Sequence, residues 1–431
     1  MTIRRFVSSC VIVLAVALAA VAIAQANEVT KWNNIAVNTV LAQPPITSAP
    51  PAAAVFVAMV QGAVYGAVNA IERHQRPYLV TRRFPMASMD AAAATAAFRV
   101  LDALFPAQHA MLQAEYDASL AAIPTGSLKD TGVRVGQAAA DAMLAEGHDG
   151  RQVLPCAFAA GAGVWQPLAG PTGAPLCDPS PWVANGVTFM VESASQFRTD
   201  GPYPLTSAAY AADFNEVKEL GSLNSTTRTL EQSHIAVFWQ SNPAANYNGV
   251  ARRLAEEQSL GVTDSAVLFA MLDLTAADAI ITCWNDKYYW NFWRPITAIR
   301  EADIDDNPAT VADPDWKPLF DPSLDSSIAG VGPALITAPY PDHPSGATCY
   351  GSASMHALQS FFGTDEMRFY VTSSRFPGEQ RYFDRFSDVP KQLIEARIWN
   401  GLHFRNADVQ AANLGREVER YIHVHHFASV H

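Results

Sequence analysis

An all-α fold built from helical bundles is what this sequence predicts, and three observations lead there. Alanine is abundant and many segments repeat their apolar residues with helical period. Clear strand alternation is scarce. No internal repeat interrupts the chain, and no low-complexity linker long enough to separate domains does so either.

The N-terminus reads as an export signal rather than as structure. Arg4 and Arg5 precede an apolar run from Val11 to Ala24, which closes on Ala24-Gln25-Ala26. A basic start, a short apolar stretch and a small-x-small cleavage site make residues 1–26 a signal peptide, with the mature chain beginning near Asn27. The run is too short for a good membrane span, and no later stretch reads as one.

In order, helices are expected over Ala52–Arg73, Met89–Leu104, Gln108–Ala122 and Lys129–Glu146. In the first of these, Val55, Met59, Val64 and Val68 are among the apolar positions. The Gly-, Pro- and Ser-rich stretch Leu154–Pro204 reads as loop. Helices resume over Ser207–Leu220, Arg228–Trp239, Val250–Gln258 and the long apolar Asp264–Trp293. Acidic, proline-rich residues Glu301–Pro341 form a loop excursion, followed by helices Gly346–Phe362, Pro390–Leu402 and Ala407–Ile422. Residues 27–260 are taken as an N-terminal helical region and 261–431 as a C-terminal one that carries the site.

Losing Arg4 and Arg5 takes the basic count from 29 to 27 against 41 acids, a net charge of −14. Such an acidic exported chain is a poor nucleic-acid binder. A periplasmic or secreted protein without membrane attachment after cleavage is expected, and the oligomeric state, a homo-oligomer included, stays open. Export permits disulfides. Cys156 and Cys177 bracket the Gly/Pro-rich loop and form the preferred pair, while Cys283 and Cys349 read as buried small hydrophobes. His423, His425, His426 and His431 read as a frayed polar tail before a metal site.

Three segments carry chemistry. Lys287–Pro295 (KYYWNFWRP) holds Lys287 and Arg294. Seven residues apart on one helix, they share a face about 10 Å apart along the axis and can converge, with Pro295 ending or kinking that helix. Cations among so many aromatics call for an anion. Pro344–Ala347 (PSGA) puts Ser345 at an N-cap position and Gly346 where an anion could approach backbone N–H groups. Arg397–Asp408 (RIWNGLHFRNAD) holds Arg397, His403 and Asp408. Arg397 and His403 sit about 120° apart on a helix, so Arg397 reaches around or the helix ends near Gly401. Asp408 is the candidate orienter of His403. Each segment alone reads as ordinary structure.

Together, in this order and spacing (K-x6-R-P, P-S-G, R-x5-H), they resemble the vanadium haloperoxidase and type 2 phosphatidic acid phosphatase superfamily. The wording GLHFRNADVQAANLG is similar to its exported bacterial haloperoxidase-like branch. The resemblance implies an architecture of two four-helix bundles. Lys287, Arg294, Arg397, Ser345 and Gly346 would hold the oxygens of vanadate, or of phosphate in the same site. His403 would be the vanadium ligand of a haloperoxidase, with hydrogen peroxide, halide and a small organic substrate as partners. In an acid phosphatase of the superfamily it would be the nucleophile. Trp284 and Tyr340 resemble positions that shape the halide side of the pocket.

One position departs from the pattern. The family usually reads P-S-G-H, and this chain has Ala347 in place of that histidine, the general acid/base. The nearest candidates are His343 and His356. His356 lies ~13 Å along the helix, too far to substitute, and His343 could serve only if the Pro344 turn lets it swing in. The oxyanion cage does not need the missing group. The haloperoxidase reading therefore stands first, the phosphatase second, and a catalytically weak oxyanion-binding homologue third.

Overall fold

The structure is a computed structural model, and it describes residues 27–169, 173–319 and 337–427. The expected signal peptide, residues 1–26, lies outside the described residues, as does His431.

The first bundle forms around an apolar helix. Asn27 caps α1 (Glu28–Leu41) by accepting from the Thr30 N–H. A single turn, α2 (Pro45–Ser48), leads into α3 (Pro50–Ile71), which starts on two prolines and is buried along almost its whole length. Next come α4 (Met89–Leu104), capped by Ser88, then α5 (His109–Ala121) and α6 (Ser127–Ala145). Helices α1, α3, α4 and α6 pack on one another. The long irregular stretch that follows contains a disulfide between Cys156 and Cys177, as expected, with Cα atoms 5.8 Å apart.

The second half contains α7 (Ala208–Leu220), α8 (Leu230–Phe238), α9 (Pro243–Glu257), α10 (Val262–Trp290) and α11 (Pro295–Arg300). After the loop excursion come α12 (Gly346–Phe362), strands β1 (Glu366–Ser373) and β2 (Phe376–Arg385), α13 (Asp388–Trp399) and α14 (Arg405–His426). Helix α10 packs on α3 on one side and on α12 and α14 on the other. One apolar core therefore runs from Val29 to Phe427, across residue 260. The fold is all-α and helical-bundle in architecture, with a single antiparallel hairpin among the described residues.

Three expectations need correction. Two helices, α3 and α10, are long and apolar enough to cross a membrane by length and composition, yet both are buried within the protein core. Their apolar surface is consumed by packing. The hairpin β1–β2 was not expected, and neither was α1. Finally, α10 stops at Trp290 rather than at Pro295: Asn291 adopts the left-handed conformation (φ 46°) and donates its N–H to the Lys287 carbonyl.

Candidate active site

The early end of α10 changes how its two cations are presented. Lys287 remains on the last turn and is fully buried. Arg294 lies beyond the helix, as the extended residue before Pro295 and the start of α11. They do not share a helix face. Lys287 Nζ donates to the carbonyls of Pro341 (3.1 Å), Asp342 (2.9 Å) and Pro344. Arg294 Nε donates to the Tyr340 carbonyl at 2.9 Å, and Nη1 donates to the Leu402 carbonyl at 2.9 Å. The two cations thus grip the turn before α12 and the loop before α14. Arg294 Nη2 is buried without a protein partner.

Ser345 occupies the N-cap position of α12, but its hydroxyl caps no helix N–H. It donates to Thr348 Oγ1 at 3.3 Å, and Thr348 donates to Asp408 Oδ1 at 2.6 Å. Gly346 fits closely under an indole: a Cβ there would stand 2.6 Å from Trp284 Cζ3. Any larger residue would push Trp284 aside and lift the positive end of α12 away from the cavity.

Helix α13 carries Arg397 in its last turn and ends at Trp399, just before Gly401 (φ 77°), where the sequence allowed a stop. The chain reverses there, with the Leu402 N–H donating to Asn400 Oδ1 at 3.1 Å. The reversal brings His403 back beside Arg397. Both are buried, and Arg397 Nε has no protein partner.

The group beside His403 is Asp342, not Asp408. His403 Nδ1 lies 2.8 Å from Asp342 Oδ1, while Nε2 faces Arg294 Nη1 at 3.1 Å. Arg294 can only donate, so the ring nitrogen it faces, Nε2, presents its lone pair. The expected role of Asp408 as orienter is corrected, because its carboxyl is turned to Thr348 at the start of α12.

Burial dominates the electrostatics. It pulls Lys287 down to about 8 and lowers Arg294 and Arg397 from the usual guanidinium range. His403 is held far below the usual imidazole range, by burial first and then by Arg294, Arg397 and Lys287. Burial also pushes Asp342 up to about 8 and Asp408 to about 7. The site gathers three cations and a neutral imidazole, and the nearby carboxyls are disfavoured as anions. It is short of negative charge.

Neither of the nearest histidines takes the place of the absent acid/base, His356 as expected from its distance. His343 is buried with Nε2 3.0 Å from Thr199 Oγ1, which donates to Asp286 Oδ2 at 2.5 Å. His356 places Nδ1 2.7 Å from the Ser352 carbonyl, one turn back on its own helix. Among the described residues, His423, His425 and His426 included, no cluster of histidine, cysteine and carboxylate side chains is arranged to hold a metal ion.

A cavity of about 310 Å³ opens onto this arrangement. Gly346, Ala347, Arg397 and His403 line it together with Trp284 and Tyr340, but Lys287, Arg294, Ser345 and Asp408 do not. The sequence did not point to Asp342, or to Trp239 and Arg375, which also line the cavity. Asp342 could have been noticed two residues before the P-S-G segment, as the only carboxylate in that turn.

Residues 267–430 match the family model described as the VCPO second helical-bundle domain. The chain thus resembles that domain over less than half of its length. It is 25% identical over 206 residues to the vanadium chloroperoxidase of Curvularia inaequalis, a match covering 42% of this chain and 32% of that protein. The matched region is therefore about a third of that relative's length. A solved bacterial vanadium-dependent iodoperoxidase superposes with a TM-score of 0.72 at 22% identity, covering 91% of this chain and 95% of that one. The holo form of a bacterial vanadium-dependent chloroperoxidase gives 0.67 at 18% identity, covering 92% and 97%. At those identities the superpositions show a shared fold over nearly the whole chain.

Proposed function

We propose that this chain is an exported vanadium-dependent haloperoxidase-like enzyme, oxidising halide with hydrogen peroxide. The observation that carries the reading is an anion hole with one nitrogen: Arg397, the start of α12 at Gly346 and His403 meet in one cavity. The donor set suits a tetrahedral oxyanion, and two buried guanidinium nitrogens, Arg294 Nη2 and Arg397 Nε, lack protein partners. Among the described residues, no carboxylate or thiolate ligand for a bare divalent cation lines the cavity. The similar proteins described above are all vanadium peroxidases, which supports the same choice.

Vanadate held here would supply the Lewis acidity that activates peroxide. His403 would offer the Nε2 lone pair, which burial and the surrounding cations keep unprotonated and which faces Arg294 Nη1 here. Arg397 and the N–H groups opening α12 would bind oxygens, and Arg294 would add Nη2. Lys287 would act mainly by fixing the Pro341–Pro344 carbonyls and adding charge from below. Ala347 brings no proton to the site. That favours peroxide activation over phosphoester cleavage, which needs an acid for its leaving oxygen. The Cys156–Cys177 disulfide supports a periplasmic or secreted location.

A paired assay on purified protein tests the reading. One arm supplies vanadate, peroxide and bromide with a halogenation indicator, and the other supplies an aryl phosphate without vanadate. Activity in the first arm alone is expected. Activity in the second alone makes the chain an acid phosphatase. Silence in both with vanadate still bound makes it an oxyanion-binding homologue.

A further inference from the structure

Asp178 is a buried carboxylate that the chemistry proposed above does not use, and it does not line the cavity. Its hydrogen bonds are all donated to it. Oδ2 accepts from Trp284 Nε1 at 2.9 Å and from the Tyr288 hydroxyl at 3.0 Å. Oδ1 accepts from the Ser180 N–H at 2.8 Å and from the Ser180 hydroxyl at 3.3 Å. A carboxyl proton would find no acceptor among these donors, so the arrangement fits the ionised form. Burial pushes the carboxyl upward, and the bonds from Ser180, Trp284 and Tyr288 pull against it.

Its two ring partners matter because of what else they touch. Trp284, Lys287 and Tyr288 lie three and four residues apart near the end of α10 and share a face. Trp284 walls the cavity, and its ring edge lies so close over Gly346 that a Cβ there would stand 2.6 Å from Cζ3. Lys287 Nζ sits 5.5 Å from the Trp284 ring centroid and 5.3 Å from that of Tyr340. The two rings themselves pack with centroids 5.0 Å apart. One indole therefore borders both the first turn of α12 and the Lys287 ammonium, and Asp178 grips that indole by its N–H.

The backbone reinforces the grip. Asp178 follows Cys177, whose disulfide to Cys156 ties down this end of the irregular stretch. Upstream in the same stretch, the Trp165 N–H donates to the Asn291 carbonyl at 2.9 Å, and the Trp293 N–H donates to the Gly163 carbonyl at 3.0 Å. The segment from Lys287 to Arg294 is thus held twice, through Asp178 at Trp284 and Tyr288 and through backbone at Asn291 and Trp293. We propose that Asp178 is a positioning residue of the oxyanion site. By fixing Trp284 it seats the opening turn of α12 at the cavity and keeps Lys287 beneath that turn. This rests on the oxyanion half of the reading above and not on halide oxidation.

Phosphate binding to the full chain, measured by isothermal titration across a double-mutant cycle, is the test. Asp178→Ala leaves the buried Trp284 N–H without its acceptor and should weaken phosphate about tenfold. Asp178→Asn keeps one acceptor oxygen but turns an amide N–H2 toward the other donors, and should lose about fivefold. Trp284→Phe removes the N–H that Asp178 receives while keeping a ring on the wall. In that background either substitution at Asp178 should change the affinity by less than about twofold. A residue that only stabilised the fold would lower the unfolding midpoint and leave the affinity of the folded protein alone. Unchanged affinity in the Asp178 variants, with stoichiometry retained, therefore overturns the proposal. A loss equally large in the Trp284→Phe background overturns it too. Should Asp178→Ala not fold, the Asp178→Asn arm of the cycle decides by itself. A wild-type chain that binds no phosphate overturns the oxyanion reading together with this one. Wild-type binding without the Asp178 effect overturns this one alone.

Discussion

At position 347 a methyl group stands at the cavity wall where the superfamily pattern has an imidazole, and the neighbours do not replace it. His343 is turned to Thr199, and His356 is turned to its own helix. If the oxyanion site is otherwise competent, Ala347→His restores the proton donor. Turnover of the native reaction should then rise by about tenfold or more, read as kcat under saturating vanadate and peroxide. An unchanged kcat would mean that another group already handles the proton. The residue scale is also where the sequence was least complete. The motif spacing identified Arg397 and His403 as site residues, and both line the cavity. The partner of His403 could not be read from spacing, because Asp342 and His403 meet only through the folding of two loops.

At the scale of elements, the site depends on how three helices begin and end. Helix α12 was legible to the residue, since Ser345-Gly346 follows a proline and opens an apolar run. The end of α13 was legible from Gly401. The end of α10 was not, because Pro295 is the conspicuous breaker while the left-handed Asn291 stops the helix earlier. The hairpin escaped because its alternation is diluted by charged residues such as Arg368 and Arg381, and most of it faces solvent. Helix α1 mixes β-branched and polar residues with its apolar stripe, which obscures its period. Gly401 offers the sharpest test at this scale. A Cβ there would lie 2.7 Å from the Gly221 carbonyl oxygen in a conformation alanine rarely adopts. Gly401→Ala should cost about 1–3 kcal/mol of stability, measured by denaturant unfolding. It should also weaken phosphate binding by displacing His403. Full stability and full affinity would show that the reversal at Gly401 does not set the site.

Across the whole molecule, the fold class was readable because helical periodicity dominates the chain. What periodicity could not show is how tightly the two halves share a core. Helix α10 is buried against α3 on one side and α12 on the other, so its apolar length serves packing rather than a membrane. The continuous core from Val29 to Phe427 predicts a single cooperative calorimetric transition for the described body of the chain. Two resolved transitions would mean that the halves on either side of residue 260 unfold separately.

The central claim is that the converging segments form an oxyanion site with His403 as its nitrogen. Vanadate binding to the full chain and to His403→Ala, measured by isothermal titration, tests it most directly. Stoichiometric binding by the wild type and a loss of roughly a hundredfold in the variant is the expected result. Equal retention of vanadate by both would contradict it.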